Sequence, residues 1–471
     1  MDELILLLSS VVLAARPDNG GGLFSFDDSD VLEYVDGPDG RVRVHYSSDG
    51  PNVTLLDDED LSGAPDFAEE VAATAEDVLD FYDALGFLAP LSEAEMGLGK
   101  LGGSGALDFY LVDFGGYADG QFAVDTCAGA VCSGYMIIEN DFSGYGYSSL
   151  SEAIAVLTSH ELFHGVQYAY NANMPVWMSE GMAVWAEHQY DSTVDDFYWF
   201  CSEYLEDTGR SIDSPPAGSV TSFAYGTAIF FQFLTERLGD WFGPDLMTET
   251  IGRGEDEMLD AIAVILTDYA TDFATEWPIF VRWNLATGSR SGAAESYPFA
   301  DKLRGIAAED EGDAIIDDNR FYPLAATYFR LDHAGGELFF ATTDDPNGLT
   351  FSLHPVVDGA EDGPVSDAIE LWSPTEPELR SLGSLEAGGY WLVGTHPLAA
   401  DQSIKIAFCL GEQEDVADCV PQEDDTGGGG DTGDGEPAAC GGCSGAGSTG
   451  WLAAMVGLLG LLSRRSTAQV C

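Results

Sequence analysis

The spacing of apolar residues changes along this chain and separates a helical middle part from a strand-rich later part. From residue 149 to residue 187, apolar side chains recur every three or four positions, as on one face of a helix. Ser149 and Glu152 form a Ser-x-x-Glu capping box at the start of this pattern. Pro175 interrupts it, so we expect a second helix from about Val176 to Tyr190. Amphipathic helices are also predicted over 225–237 and 257–269.

After Asp318 the pattern changes to short runs in which apolar and polar residues alternate, broken by Gly, Asp and Pro. The runs are TYFRL, GELFFAT, LTFSLH, AIELWS, GYWLVGT and SIKIAFC. Such repeated short strands are typical of a β-sandwich, here predicted over residues 318–412. The fold class predicted for the whole chain is α+β, with a mainly helical domain and a small sheet before the sandwich.

Composition narrows the range of partners. The chain has 471 residues with 45% hydrophobic content, enough for two or three packed domains. Its 82 acidic and 17 basic residues give a formal net charge of −65. Because this charge repels phosphate backbones, we expect no nucleic-acid partner. A soluble, strongly acidic surface accounts for the charge without any binding role.

The N-terminal segment is typical of an export signal. Residues 4–15 are apolar with small residues at their end, which fits the core of a signal peptide predicted over residues 1–20. Asp2 and Glu3 stand where basic residues are usual, and a buried N-terminal element is the alternative. The spacing of Cys127 with Cys132, and of Cys409 with Cys419, favours local disulfides and an oxidising compartment. We therefore expect an extracellular or cell-surface protein.

The C-terminal end has a different composition. A Gly- and Asp-rich linker is predicted over residues 413–439, followed by Cys440, a short apolar run and Arg464-Arg465. This order resembles the MYXO-CTERM sorting tail of myxobacterial surface proteins, here residues 440–471. The resemblance implies that export and sorting machinery are partners. A simple membrane anchor is the alternative, although the apolar run is shorter than the ~20 residues of a spanning helix.

The motif His160-Glu161-Leu162-Phe163-His164 carries the candidate chemistry. Residues four apart lie on one face of a helix, so His160 and His164 can bind one zinc ion while Glu161 stays free. The extended metzincin pattern is excluded because Gln167 and Tyr170 occupy its Gly and His positions. A gluzincin site needs a Glu on the following helix, and Glu180 is the candidate.

Several segments together resemble a known family. They are HYSSDGPNV, GAPDFAEEVA, GYMIIENDF, HELFHGVQYAY and WMSEGMAVWAE, between about residues 40 and 290. They are similar to a myxobacterial family of HExxH metalloproteases of the looser peptidase-MA type, whose third-ligand helix starts with Trp-x-x-Glu-Gly. The resemblance implies an exported zinc peptidase with a zincin-like domain, here residues 24–315.

Glu161 is the expected general base, which takes a proton from a zinc-activated water and passes it to the leaving amine. Related gluzincins place a Tyr on a later helix, which makes Tyr225 the candidate oxyanion partner. Residues 135–140 are predicted to form a strand, either the sheet edge that aligns a peptide or a simple buried strand.

We expect protein or peptide substrates and a monomer, with endopeptidase activity favoured. An aminopeptidase is less favoured because no motif for holding a substrate terminus is visible in the sequence. The alternative from another class is a non-enzymatic surface or adhesion protein with a vestigial site.

A second candidate metal site precedes the first predicted helix. Oxygen-bearing side chains follow the spacing of an EF-hand loop, with Gly63 at the sixth position. The candidate calcium ligands are Asp58, Asp60, Ser62, Asp66 and Glu69. Because no helix precedes the loop and the chain is rich in acidic residues, a chance match is the alternative.

Overall fold

A computed structural model describes residues 16–20, 24–217, 221–357, 362–398 and 402–419. The predicted signal-peptide core and sorting tail, and the linker from residue 420, lie outside the described residues. The part of the linker before residue 420 belongs to the fold, because Val416 is buried and Cys419 is bonded to Cys409. The second disulfide joins Cys127 and Cys132, so both pairings suggested by spacing are present. Within the described ranges, no helix has the length and apolar character needed to cross a bilayer.

The chain combines helices and sheets, which confirms the α+β class. The α-helices in the described residues are α1 (Asp66–Leu85), α2 (Leu150–Tyr170), α3 (Val176–Tyr190), α4 (Asp196–Leu205), α5 (Ser222–Gly226), α6 (Ala228–Leu238), α7 (Phe242–Glu249), α8 (Met258–Asp268) and α9 (Phe273–Leu285). Helix α3 begins at Val176 and ends at Tyr190, as the sequence predicts. The predicted helix over 225–237 is instead divided between α5 and α6 at Thr227, whose hydroxyl donates to the carbonyl oxygens of Trp177 and Ala224.

A five-stranded sheet lies beside the first two helices. Its strands are β1 (Leu32–Asp36), β2 (Val42–Ser47), β3 (Leu107–Val112), β4 (Gly120–Ala128) and β5 (Val131–Glu139). They follow the order β1-β2-β3-β5-β4, in which the three central strands are parallel and both outer strands are antiparallel to their neighbours. Strand β4 is therefore an edge of this sheet, on the side where it contacts α2.

The segment 135–140 is not the sheet edge. Its residues lie in β5 and at its end, and β5 pairs with β3 on one side and β4 on the other. Met136 and Ile138 are fully buried, which fits a strand covered on its faces. The buried-strand alternative is correct, and the edge belongs to the preceding strand of the β4–β5 hairpin.

The later part of the chain forms two further sheets. Their strands are β6 (Asp310–Gly312), β7 (Ile315–Phe321), β8 (Ala325–His333), β9 (Gly336–Thr342), β10 (Thr350–Pro355), β11 (Glu370–Trp372), β12 (Glu378–Leu385), β13 (Gly388–His396) and β14 (Ile404–Gly411). The orders are β11-β10-β13-β8-β6 and β12-β9-β14-β7. One apolar core contains residues of both sheets, including Phe351 of the first and Phe408 of the second.

Helix α9 joins the helical part to these sheets. Trp277 donates its indole N–H to Thr395 Oγ1 at 3.0 Å, and the Tyr328 hydroxyl donates to the Val281 carbonyl at 2.9 Å. All four residues are buried. These contacts join α9 to β13 and β8.

Arg16, at the start of the described chain, is enclosed by carboxylates. Its guanidinium donates to Asp125 at 2.9 and 2.6 Å and to Asp108 at 2.5 Å, and it lies 3.4 Å from Glu93. Burial alone would lower the pKa of Arg16, but the Asp125 hydrogen bond and the surrounding negative charge raise it. The side chain is 1% exposed although it falls inside the range predicted for the signal peptide. Arg16 thus neutralises acidic side chains of the folded domain, which places the end of the predicted signal peptide before Arg16 rather than at residue 20.

We expect Arg16→Met to lower the free energy of unfolding by about 3–5 kcal/mol, because it leaves buried carboxylates without a counter-charge. The measurement is urea unfolding followed by circular dichroism. Lys405→Met is the control, since Lys405 pairs with Asp318 at the surface and exposed pairs contribute about 0–1 kcal/mol. Equal, small effects of both substitutions would contradict the assigned role of Arg16.

Candidate metal centre

Two crossing helices position the candidate ligands. Helix α2 begins at Ser149, whose hydroxyl accepts the Glu152 N–H, while the Glu152 carboxylate accepts the N–H of Ser148 rather than that of Ser149. The helix carries His160, Glu161 and His164 on its buried second half. A short connection leads to α3, which Pro175 precedes as N-cap. The Gln167 side chain then donates to the Ser179 carbonyl at 2.8 Å and ties the two helices together.

The three predicted zinc ligands converge on one point. His160 Nε2 and His164 Nε2 lie 3.1 Å apart, and Glu180 Oε2 lies 3.4 Å from the first and 3.5 Å from the second. The side chains are 6%, 5% and 7% exposed. Despite this proximity, Glu180 Oε2 has no aligned hydrogen-bond donor within the described ranges. The three candidate ligand atoms thus surround a small space, and Glu180 Oε2 accepts no hydrogen bond from either imidazole.

Hydrogen bonds on the far side of each ring determine the tautomers. His160 Nδ1 faces Glu187 Oε1, and His164 Nδ1 faces Gln167 Oε1 at 2.8 Å. Both partners are acceptors, so each neutral imidazole carries its proton on Nδ1 and points an Nε2 lone pair at the other ring. This is how zinc-binding histidines are usually oriented.

The arrangement fits a zinc ion. Two nitrogen lone pairs and a carboxylate oxygen repel one another unless a cation lies between them. A tetrahedral zinc ion with ligand distances of about 2.0–2.1 Å requires ligand atoms about 3.3 Å apart, close to the separations here. Burial opposes charge on Glu180, but positive charge at the two imidazoles, which a proton or a metal ion supplies, outweighs it and lowers the pKa of Glu180 to about 2. This carboxylate is the charged member of the group.

Glu161 and Tyr225 lie beside the ligands in one small cavity. Glu161 Oε2 and the Tyr225 hydroxyl are both buried, and neither has a hydrogen-bond partner in the part of the chain that the structure describes. Burial raises the pKa of Glu161 to about 7, against the lowering effect of His160 and His164. The Tyr225 ring stacks on Phe200 with centroids 4.7 Å apart, which holds the hydroxyl in place. Both groups are therefore available for hydrogen bonds to a bound molecule.

Two glycines permit the close packing of this site. A β-carbon at Gly120, the first residue of β4, would lie 2.7 Å from Glu161 Oε1. A β-carbon at Gly181 would collide with the Thr227 hydroxyl, so the glycine that follows Glu180 lets α3 pack closely on the turn before α6. The sheet edge and the Tyr225 helix both approach the metal ligands through these positions.

Glu187 lies two turns after Glu180 on α3, and its carboxylate contacts His160. His188 is directed elsewhere and stacks on Phe197 with centroids 4.0 Å apart. Gln167 was used only to exclude a metzincin, although its position three residues after His164 could have indicated a contact. Asp119, which lines the same cavity, was missed altogether. The sequence around Asp119 contains no motif. Its position beside the site depends on the pairing of β4 with β5, which the sequence does not reveal.

The predicted calcium loop is only partly assembled. Carboxylate oxygens of Asp58, Asp60 and Asp66 lie within 4.8 Å of one another, but in the described chain Glu69 does not belong to this group. Backbone N–H groups of Ser62 and its neighbours already bind oxygens of these residues. Ser62 Oγ bonds to Ala64 within the loop. Calcium binding stays a prediction.

Comparison with protein-family models and with curated protein sequences finds no match to this chain. Among solved structures, PliG from Aeromonas hydrophila, a periplasmic inhibitor of g-type lysozyme, aligns at 15% sequence identity. The alignment covers 21% of this chain and 84% of PliG, with a TM-score of 0.16. Similarity at this level carries no argument about fold or function.

We expect Glu187→Gln to weaken zinc binding about 10–100-fold, because the carboxylate orients His160 and makes its ring more basic. Competition with a zinc chelator measures the affinity directly. Glu255→Gln, a change at an exposed glutamate, is the control and should leave affinity unchanged. If both variants bind zinc as tightly as the unmodified protein, Glu187 does not support the ligand.

Proposed function

We propose that this protein is an exported zinc-dependent peptidase. The observation that carries the proposal is the convergence of two imidazole Nε2 atoms and the Glu180 carboxylate beside Glu161, a carboxylate with a free buried oxygen. Three protein ligands leave one position of a tetrahedral zinc ion open, which is typical of catalytic rather than structural sites.

The proposed architecture is a zincin-like domain followed by a β-sandwich. Because β6 and β7 belong to the later sheets, the boundary lies before Asp310 rather than between residues 315 and 318. The apolar core shared by the two later sheets supports the sandwich. The parallel and antiparallel strands beside α2 support the first domain, since they place a sheet edge next to the helix with the HExxH motif.

A bound zinc ion would supply Lewis-acid chemistry, polarising a carbonyl and making water nucleophilic at neutral pH. Glu161 takes a proton from the attacking water as the oxygen bonds to the peptide carbon. The carbon–nitrogen bond then breaks, and Glu161 returns the proton to the leaving amine. The Tyr225 hydroxyl donates a hydrogen bond to the carbonyl oxygen as it gains negative charge. Strand β4 aligns an extended substrate by backbone hydrogen bonds at its outer edge.

The proposed setting is the cell surface or the extracellular medium. Two disulfides in the described chain support an oxidising compartment. The signal sequence and the sorting tail, which would bring the protein to export and sorting machinery, remain predictions from sequence. We propose that the protein acts on proteins or peptides as a monomer.

Glu161→Gln should bind one zinc ion per chain and lose hydrolysis by about 10²–10⁴-fold, because the amide keeps the size of the side chain but cannot accept the proton. Zinc content is measured by elemental analysis, and activity by cleavage of a denatured protein and of a peptide library.

The outcomes separate the alternatives. Failure of the unmodified protein to hold zinc would contradict the ligand assignment. Zinc binding combined with equal inertness of both forms would contradict the enzyme and favour a non-enzymatic surface protein. Glu255→Gln, at an exposed glutamate, should retain full activity.

Tyr225→Phe should reduce kcat by about 10²–10³-fold with little change in KM or zinc content, because the hydroxyl acts on charge that develops during the reaction. Steady-state kinetics on one cleaved peptide measure both constants. Tyr204→Phe, at a buried tyrosine of α4, is the matched control. A similar kcat for both variants would exclude Tyr225 as the oxyanion partner.

A further inference from the structure

The cavity beside the metal ligands contains a carboxylate that the proposed chemistry does not use. Asp119, directly before β4, lines this cavity together with His160, Glu161 and Tyr225. The cavity has room for about one water molecule. Asp119 is 2% exposed, and no step assigned to Glu161 or Tyr225 requires it.

Among the described residues, only one carboxylate oxygen of Asp119 accepts a hydrogen bond from another side chain. Oδ2 accepts the Tyr147 hydroxyl at 2.6 Å, which ties the segment before α2 to the start of β4. Oδ1 is buried and has no hydrogen-bond donor among the described residues. An unsatisfied buried acceptor is costly, and a charged one more so. The bond from Tyr147 therefore accounts for one oxygen and leaves the other without an explanation in the fold.

Neither an ion pair nor the zinc site explains Oδ1. Among the described residues, no Lys, Arg or His nitrogen makes an ion pair with Asp119, unlike the Asp108 and Asp125 carboxylates around Arg16. Asp119 also lies outside both described groups of ligand atoms that fall within 4.8 Å of one another. The carboxylate is thus too far from the zinc ligands to complete their set, while it shares a cavity with them.

We propose that Asp119 binds an ammonium group of the substrate, either its α-amino terminus or a lysine side chain. This inference rests on the proposed peptidase function. An ammonium head group is close to a water molecule in size and donates hydrogen bonds to carboxylates. The carbon that carries it needs more room than one water molecule, so binding requires the cavity to widen. Because Gly120 lies against Glu161, an ammonium held at Asp119 keeps the neighbouring part of the peptide near the general base.

The two sources of the ammonium group imply different activities. An α-amino terminus at Asp119 makes the enzyme an aminopeptidase, and the residue supplies the terminus-holding group that no sequence motif revealed. A lysine side chain at Asp119 makes it an endopeptidase selective for basic residues. In both cases the ammonium group donates a hydrogen bond to Oδ1 of Asp119.

Equilibrium peptide binding to the zinc-loaded Glu161→Gln protein tests the proposal without turnover. One pair of fluorescent peptides differs only in a free or acetylated N-terminus. A second pair, acetylated throughout, differs only in lysine or norleucine. We expect one pair to show a preference of about 10-fold or more for the charged member, as for hydrogen bonds to charged groups. Adding Asp119→Asn should reduce that preference to less than about 2-fold.

Two control variants test whether a loss of surface charge or of the Tyr147 hydrogen bond could change peptide binding. Asp195→Asn removes a negative charge from an exposed residue and should keep the preference. Tyr147→Phe removes the hydrogen bond to Oδ2 but keeps the carboxylate, so it should keep the preference as well. Zinc content and thermal unfolding of each variant establish that it is folded.

The outcomes distinguish this proposal from the one it rests on. Peptide binding that is indifferent to charge in both pairs, with Asp119 intact, would overturn the role of Asp119 alone. A preference that survives in folded Asp119→Asn would do the same. Absence of any peptide binding or cleavage would overturn the peptidase function together with it.

Discussion

Two imidazole lone pairs held 3.1 Å apart inside the protein are the constraint on which the rest of the site depends. Without a cation between them, the lone pairs would repel each other and the Glu180 carboxylate. Burial lowers the pKa of both imidazoles, but the surrounding carboxylates outweigh it and raise the pKa of each. The pair of helices is nevertheless fixed in this position by contacts outside the site, including the bond from Gln167 to α3 and the contact of Gly181 with Thr227. The fold thus imposes a local repulsion that a divalent cation relieves.

Sequence predicts the parts of this arrangement that depend on local periodicity. The separation of His160 and His164, the helix start at Ser149 and the extent of α3 all follow from spacing and capping. The division at Thr227 was not visible, because it results from a hydroxyl bonding to a distant carbonyl. Strand β12 was missed because its alternating residues are mostly exposed and lack an apolar pattern.

Non-local pairing explains the remaining differences. The order of the five-stranded sheet places β4 at the edge and β5 inside, which no pattern within either strand determines. The same pairing brings Asp119 and Gly120 to Glu161 across a long stretch of sequence. Arg16 likewise binds Asp108 of β3 and Asp125 of β4, two strands that the sheet brings within reach of one side chain. Residues of this kind become recognisable as a group only in three dimensions.

Although the chain has a net charge of −65, its buried carboxylates lie in groups, and each group needs a cation to compensate its negative charge. Those around Arg16 have a cation supplied by the protein. Around the candidate metal ligands, Glu161, Glu180, Glu187 and Asp119 carry up to four negative charges, and a bound divalent ion would offset about two of them. A field that remains negative beside a metal favours a further cation over an anion. The proposed zinc ion would therefore offset part of the negative charge of this site, and the proposed substrate ammonium would offset a further part.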